Sequence, residues 1–226
     1  MDSAQLKAAR NAAGWTQQEA AARLGLSQPY YSQLENGSRP LSASLKVRAV
    51  RKLRLSPTMM PLPPPSESLT PVPPEKLAVM LARLGYLGFA HLRRTAIPVN
   101  PAELVAGAIV HDDLDPRLVE ALPWLLTTFN DLDWQWLTAQ CRLLNLQNRL
   151  GFLVSLARQL AKAGAAEHLR AAQGTLEASR LAAEGTLCRN AMPEAERNWI
   201  REHRSSTAAH WNLVTTLDAD LLTHAA

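Results

Sequence analysis

Apolar residues recur every three or four positions along most of this chain, which is the spacing of amphipathic helices. Near the N-terminus the spacing predicts a first helix over Ser3 to Ala13, with Ser3 as its cap. Thr16, followed three places later by Glu19, is the capping-box pattern that begins a second helix. A glycine then supplies a tight turn, and Ser27 can accept hydrogen bonds from the first amides of a third helix. The pattern predicts a helix, a turn and another short helix in close succession.

The third predicted helix carries amides and hydroxyls on much of its surface. These groups suit base edges and phosphates better than they suit a packed core. We therefore interpret this helix as a DNA recognition helix. The side chains on which the interpretation depends are Gln28, Tyr30, Ser32, Gln33 and Asn36.

Residues Leu6 to Pro40 resemble the helix-turn-helix domain of the Cro and phage-repressor type, also called the xenobiotic-response-element family of bacterial regulators. The resemblance covers roughly a quarter of the chain and implies a lambda-repressor-like domain of four or five helices that binds double-stranded DNA. The residues that carry it are Leu6, Arg10, Gly14, Thr16, Gln17, Gln18, Glu19, Ala21, Leu24, Gly25, Ser27, Tyr31, Ser32, Leu34, Glu35, Asn36, Gly37 and Pro40.

The resemblance also implies a role for several side chains. The residue that matches Gln17 contacts a phosphate in that family, and Arg10 and Glu35 match a partly buried ion pair that joins the first helix to the recognition helix. Asn36 and Arg39 are further candidates for phosphate contacts. The candidate base-reading residues are Gln28, Pro29, Ser32 and Gln33, with Tyr30 nearby.

Two positions depart from the family pattern. Ala20 stands where the family usually has a leucine, so we expect a thinner core there. Pro29 faces the groove but cannot donate a hydrogen bond, although proline is tolerated in the first turn of a helix. Base reading then falls mainly on Gln28 and Gln33. Because glutamine can pair bidentately with adenine, A·T positions are expected in the operator.

Positive charge is concentrated at the N-terminal end. Nine Lys or Arg and three Asp or Glu precede position 57, against fifteen and seventeen after it, so the net charges are about +6 and −2. A basic region of this kind is typical of a module that binds a polyanion. A predicted helix over Ser42 to Leu53 carries much of this charge, either as a solvated face or as additional phosphate contacts. Its basic residues, with the one that follows, are Lys46, Arg48, Arg51, Lys52 and Arg54.

The segment 57–74 contains eight prolines in eighteen residues. Such a segment favours extended polyproline conformations, so we predict a linker. The domain organisation predicted from this is a DNA-binding domain over 1–56, the linker over 57–74 and a partner-binding or dimerisation domain over 75–226.

The region after the linker shows helical spacing throughout and no alternating strand pattern, so the predicted fold class is all-α. Prolines near helix starts and glycines near helix ends mark the boundaries. The predicted helices are Pro74 to Leu84, Pro101 to His111, Pro116 to Asn130, Leu132 to Leu144, Leu146 to Gly164, Ala165 to Ala183, Pro193 to His203 and Ser205 to Leu217.

Three tryptophans within thirteen positions, Trp124, Trp134 and Trp136, suggest a protein-binding surface, because tryptophan concentrates binding energy at interfaces. Core packing is the alternative interpretation. Trp134 and Trp136 are two positions apart and cannot share one helix face, so we expect part of this set to be exposed.

No constellation in the chain indicates an enzyme, a metal site or a cofactor site. His203 and His210, with Glu202 beside them, could share a helix face but supply too few metal ligands. The acidic residues Asp112, Asp113 and Asp115 precede a proline and are most simply a helix-start group.

The remaining features concern the cellular location. Cys141 and Cys188 have no zinc-site spacing and fit a reducing compartment. No apolar run is long enough to cross a membrane. We therefore expect a soluble cytoplasmic protein.

The leading hypothesis is a transcriptional repressor that binds the operator of its own promoter as a homodimer. Its C-terminal domain would bind a cognate toxin protein, as in antitoxins that repress their own operon. The first alternative is a regulator that senses a small apolar molecule held between the C-terminal helices, and the remote alternative is an enzyme with a DNA-binding domain.

Overall fold

The structure is a computed structural model that describes residues 1–92, 99–161 and 166–222. These residues form two compact units. The N-terminal unit comprises Met1–Pro63 and a short segment that ends at Asn100, and the C-terminal unit begins at Pro64 and contains the other described residues. The division therefore falls inside the segment 57–74; the domain boundaries drawn from the sequence stay predictions.

The N-terminal unit contains four α-helices and one 3-10 turn over Pro57–Met59 within its described residues. The helices are α1 (Ser3–Ala12), α2 (Gln17–Leu24), α3 (Gln28–Glu35) and α4 (Ala43–Lys52). Side chains from all four helices form one small apolar core. Its buried members are Leu6, Ala20, Ala21, Leu24, Tyr31, Leu34, Leu45, Ala49 and Leu53.

Of the three helix caps predicted in the N-terminal unit, one is confirmed and two differ from the structure. The Thr16 hydroxyl accepts a hydrogen bond from the Glu19 amide, and the Glu19 side chain accepts one from the Thr16 amide, so the predicted capping box is confirmed. Ser3 is not the cap of α1, because the preceding Asp2 accepts from the Gln5 amide and makes a capping box of its own. Ser27 precedes α3 in extended conformation but its hydroxyl makes no capping hydrogen bond.

Helices are the main secondary structure of the C-terminal unit, which confirms the predicted all-α fold class. Its helices are α5 (Pro74–Leu84), α6 (Pro101–Ile109), α7 (Pro116–Glu120), α8 (Leu122–Thr128), α9 (Trp134–Leu143), α10 (Gln147–Leu160), α11 (Ala166–Glu177), α12 (Glu194–His203) and α13 (Ser206–His210). Two-residue strands, β1 (Gly185–Thr186) and β2 (Leu213–Val214), pair in parallel. No helix in the described residues is long and apolar enough to cross a membrane.

Helix α10 runs through the middle of the C-terminal unit and packs against α8 and α11. Its residues 150–157 are all buried. Gly151 allows the fully buried ring of Trp211 to lie directly on the helix, in space that a Cβ would occupy. The indole N–H of Trp211 donates to the Ser155 hydroxyl over 2.8 Å. This contact fixes the segment after α13 against the central helix.

Three predicted helices differ from the structure, and the one predicted over Ala165 to Ala183 ends at Glu177. The prediction of one helix over Pro116 to Asn130 is wrong, because the chain breaks it into α7 and α8 at Ala121. Pro123 lies in the first turn of α8, and its ring would clash with the carbonyl four residues earlier in a continuous helix. The helix predicted to reach Leu217 ends at His210, since Asn212 takes a left-handed conformation with φ 51° and directs the chain into β2.

The proline-rich segment is hydrogen-bonded within each unit. In the N-terminal unit the buried amide of Asn100 donates to the carbonyls of Thr58 and Met60, over 3.0 and 2.8 Å. In the C-terminal unit the buried side chain of Gln140 pairs with both backbone groups of Ser66, accepting over 2.9 Å and donating over 2.6 Å. The beginning and the middle of the segment are therefore held by buried amide side chains.

Candidate DNA-binding surface

Helices α2 and α3 are joined by a turn that brings them close together. Gly25 lies in the left-handed region with φ 65°, where a residue with a Cβ would be strained. The amide of Leu26 donates to the carbonyl of Ala21 over 2.9 Å and closes the turn. Ala20 and Ala21 are buried under this turn, so small side chains allow the two helices to approach. The local sequence thus gives a helix-turn-helix geometry.

A buried carboxylate anchors α3 to the rest of the N-terminal unit. Glu35 has a side chain with no exposed surface, and it accepts from Arg10 Nε over 2.7 Å and from Arg10 Nη2 over 3.2 Å. Arg10 Nη1 donates to the carbonyl of Trp15 over 2.8 Å, which ties the α1–α2 connection to the same group. The ion pair expected from the sequence is therefore present, and it braces α3 against α1.

Gln17 extends this network towards the exposed end of α3. Its amide nitrogen donates to Glu35 Oε2 over 2.9 Å, and its amide oxygen accepts from the Gln28 amide over 2.9 Å. The sequence interpretation missed both contacts. Because one nitrogen hydrogen of Gln28 is used internally, its amide oxygen and second hydrogen remain available to a ligand. The network fixes the orientation of the Gln28 side chain.

Burial and hydrogen bonding shift the pKa of Glu35 in opposite directions. Burial raises the pKa of Glu35, but the hydrogen bonds from Arg10 and Gln17 outweigh it, so the net pKa lies below the ordinary value of 4.5. Burial also raises the pKa of the Tyr31 phenol far above its ordinary 10.0. Both effects keep Glu35 charged and Tyr31 neutral at pH 7.

The outer face of α3 is solvent-exposed and polar. Gln28, Pro29 and Gln33 are exposed, while Tyr30 and Ser32 are half-buried. The structure therefore presents the predicted base-reading side chains at the end and outer face of one helix. None of them carries a charge, so this face offers amide and hydroxyl groups to a partner.

The turn after α3 carries two further polar contacts. Arg39 Nε donates to the side-chain oxygen of Gln33 over 3.1 Å, and its guanidinium lies 5.8 Å from the ring centroid of Tyr30. Asn36 donates weakly to the Ser32 hydroxyl over 3.4 Å. Arg39 therefore places the positive charge of this turn beside the base-reading face.

The remaining basic side chains of the N-terminal unit lie mostly on and just after α4. Lys46 is half-buried, and Arg48, Arg51, Lys52 and Arg54 are exposed. The opposite side of α4 is covered by the apolar core. Four of these five charges are therefore exposed to solvent.

The helix-turn-helix region is similar to a known protein family. A family model described as Helix-turn-helix matches residues 6–58. The N-terminal unit is a helix-turn-helix domain of the Cro and phage-repressor type. The chain is accordingly a DNA-binding transcriptional regulator, as the resemblance in its sequence predicted. No curated protein and no solved structure matches the chain.

The tryptophans singled out in the sequence differ in their burial. Trp124 and Trp134 are half-buried, and Trp136 is only 6% exposed, so a partner could reach little more than its edge. The most exposed large aromatic ring in the described residues is Trp199, at 55%, which stacks on His203 with centroids 4.4 Å apart. The binding role of the first three stays a prediction, and the sequence interpretation did not single out Trp199.

The other candidate groups of the C-terminal unit are held by structural contacts. His203 Nδ1 bonds the carbonyl of Trp199, and His210 Nε2 bonds Glu177 Oε1, each over 2.7 Å. Within the described residues no cluster of His, Cys, Asp and Glu could hold a metal ion.

The three aspartates have separate partners. Asp115 caps α7 by accepting from the Arg117 amide over 2.9 Å, as expected of a helix-start residue. Asp112 and Asp113 instead accept from Asn190 and Ala191 and hold the loop after β1. Cys141 and Cys188 are both free thiols in buried positions.

Proposed function

We propose that the protein is a transcriptional repressor that recognises its own operator through the exposed polar face of α3. The observation that carries this proposal is the chain of contacts from Arg10 through Glu35 and Gln17 to Gln28. This chain holds an amide side chain in one orientation on an otherwise exposed helix end. Preorganised side chains lose less freedom on binding, which favours sequence-specific recognition.

Each polar group then has a place in the DNA complex. Gln28 and Gln33 are positioned to read base edges in the major groove, and Ser32 and Tyr30 lie beside them. Pro29 contributes an apolar contact, such as one to a thymine methyl group. Gln17, Asn36 and Arg39 are the proposed phosphate contacts.

The proposal includes a homodimer on a palindromic operator. A single domain with one eight-residue recognition helix makes few base contacts, so one copy would bind weakly. Two copies on half-sites about one helical turn apart double the contacts. Analytical ultracentrifugation in the presence and absence of operator DNA measures this stoichiometry directly.

The test of the DNA-reading assignment is a binding titration against the protein's own promoter and against random DNA of equal length. Gln28→Ala and Gln33→Ala are each expected to lose affinity for the promoter while keeping affinity for random DNA. Asn11→Ala, an exposed change on α1, is the matched control and is expected to bind as the wild type does. If all four proteins show the same preference for the promoter, the assignment is wrong.

The C-terminal unit is proposed to bind a protein partner, such as the toxin encoded in the same operon. Part-exposed Trp124 and Trp134 and exposed Trp199 support this proposal, because such rings concentrate binding energy when a partner covers them. Co-expression with the neighbouring gene product tests it. A stable complex that is weakened by Trp134→Ala or Trp199→Ala is expected, and separate elution of the two proteins would contradict it.

A second candidate function is a regulator that responds to a small molecule. A cavity of about 120 Å³ in the C-terminal unit favours it. The expected result is a change in operator affinity when the cavity is occupied. Unchanged operator affinity with a saturated cavity would contradict this candidate without bearing on DNA recognition.

A further inference from the structure

The cavity lies in the C-terminal unit, where α7 with the turn before it, the loop after β1, helix α12 and the chain from β2 onward meet. Its inner wall is made of buried apolar side chains from all four stretches. The buried apolar residues that line it are Leu114, Val119, Leu187, Met192, Ile200 and Val214. Its volume is about 120 Å³, and it is partly open to solvent.

The polar groups at the cavity are few, and several already have partners. Arg189 pairs with Glu196 over 2.7 Å, and the Thr215 hydroxyl accepts from the Leu217 amide over 3.2 Å. Burial raises the pKa of the Cys188 thiol to about 11, so it forms a neutral part of the wall. Half-buried Glu120 also lines the cavity, so an anion bound there would lie near an acidic residue.

The cavity has an exposed rim, and part of its wall comes from the chain after β2. Thr216 and Leu221 line the cavity and are exposed to solvent, Leu221 at 60%. In the described part of the chain, this wall has local hydrogen bonds, such as those from the Ala219 amide to the Asp218 carboxylate and from the Leu221 amide to the Asp218 carbonyl. Apolar packing therefore holds the wall in place, and a small molecule has a route of entry.

We propose that this cavity binds a small, uncharged, apolar molecule about the size of one benzene ring. An apolar cavity of about 150 Å³ in another protein stays dry and binds benzene, which sets the scale. The present cavity is slightly smaller, and it combines an apolar inner wall with polar groups and an opening to solvent, so it suits a single ring or a short alkyl chain. The proposal deepens the ligand-responsive candidate function, but binding itself does not depend on DNA recognition.

The chain provides a site-specific reporter for this binding. Of its five methionines, only Met192 lines the cavity; Met1, Met59, Met60 and Met80 lie elsewhere. Full-length protein labelled with ¹³C at the methionine methyl groups is titrated with toluene and, separately, with benzoate. Met192→Leu assigns the reporter signal. Toluene is expected to shift the Met192 signal saturably and to leave the other four unchanged, while benzoate at the same concentration shifts none of them.

A matched pair of variants tests whether the cavity is the site. Val214→Leu adds a methylene to the cavity wall and is expected to weaken toluene binding at least threefold, whereas Val47→Leu in α4 is expected to leave it unchanged. An absent Met192 shift up to the solubility limit of toluene would overturn the proposal, as would equal shifts at all five methionines. If Val214→Leu does not fold, the wild-type titrations with toluene and benzoate still decide the question.

Discussion

Removal of Arg10 is the sharpest perturbation of the DNA-binding domain, because it leaves Glu35 without its cationic partner. Arg10→Met keeps a similar apolar stem but removes the guanidinium, which donates to both Glu35 oxygens and to the Trp15 carbonyl. Glu35 would keep its buried position and the hydrogen bond from Gln17. The variant therefore contains a buried, poorly compensated charge.

The cost follows from the burial of the pair. Removing one partner of a buried ion pair costs about 3–5 kcal/mol. The Arg10 side chain is 13% exposed, so we expect the lower end of that range, about 3 kcal/mol. Replacing both residues, as in Arg10→Met with Glu35→Leu, removes the uncompensated charge. We expect the double variant to recover about half of the loss, or roughly 1.5 kcal/mol.

The loss of stability in Arg10→Met should become smaller as the pH falls. In the wild type the pKa of Glu35 is lowered, so its contribution to stability is fully present above pH 4.5 and is lost as the pH falls through the lower folded-state value. In Arg10→Met the burial remains and the main hydrogen bonds are gone, so the pKa of Glu35 rises above 4.5. The difference in stability between wild type and variant is therefore expected to narrow between pH 7 and pH 4.

Hydrogen exchange of the backbone amides in α1 and α3 measures this effect without interference from the C-terminal unit. A loss of about 3 kcal/mol corresponds to exchange roughly a hundredfold faster at pH 7. Lys7→Met, at an exposed position on α1, is the control and should change exchange little. Equal protection in Arg10→Met and wild type, or a loss that grows towards pH 4, would refute the reasoning.

Three further predictions concern other parts of the chain. Neutralising the exposed α4 charges by Arg51→Gln and Lys52→Gln should weaken binding to operator and random DNA alike. The slope of log affinity against log salt concentration should fall by about 0.9 for each phosphate that is no longer neutralised. An unchanged slope would identify these charges as a solvated face. Gly151→Ala should lower the stability of the C-terminal unit by about 2 kcal/mol, because the added Cβ clashes with the ring of Trp211, and an unchanged Tm would contradict that packing. Asn100→Ala should make the proline-rich segment cleave faster with thermolysin, since two carbonyls lose their donor; wild-type cleavage rates would show that Asn100 does not hold it.

The sequence was informative wherever a structural signal is local. The Thr16 capping box, the Gly25 turn and the helical spacing are set by residues within one or two turns of each other, and the structure contains all of them. The caps of α1 and α3 were exceptions. Asp2 and Ser3 are adjacent and both can accept from a free amide, so composition alone did not distinguish them.

Contacts between distant residues could not be predicted from local patterns, and the Arg10–Glu35 pair was expected only because the family resemblance implies it. Gln17 and Glu35 are eighteen positions apart, and only the crossing of α2 and α3 brings their side chains within 2.9 Å. The β1–β2 pair has two residues per strand, too few for an alternating pattern to be visible. The cavity depends on four separate stretches of chain and leaves no signal in any one of them.

The central claim is that α3 reads bases through Gln28 and Gln33, and a cycle of protein and operator variants tests it most directly. Affinities of the wild type, Gln28→Ala and Gln33→Ala are measured for the operator and for operators with one base pair changed at a time. Each variant is expected to lose discrimination, worth about 1–3 kcal/mol, at its own base-pair position and to keep it at the others. A uniform loss of affinity on every sequence, with discrimination intact at all positions, would contradict the account.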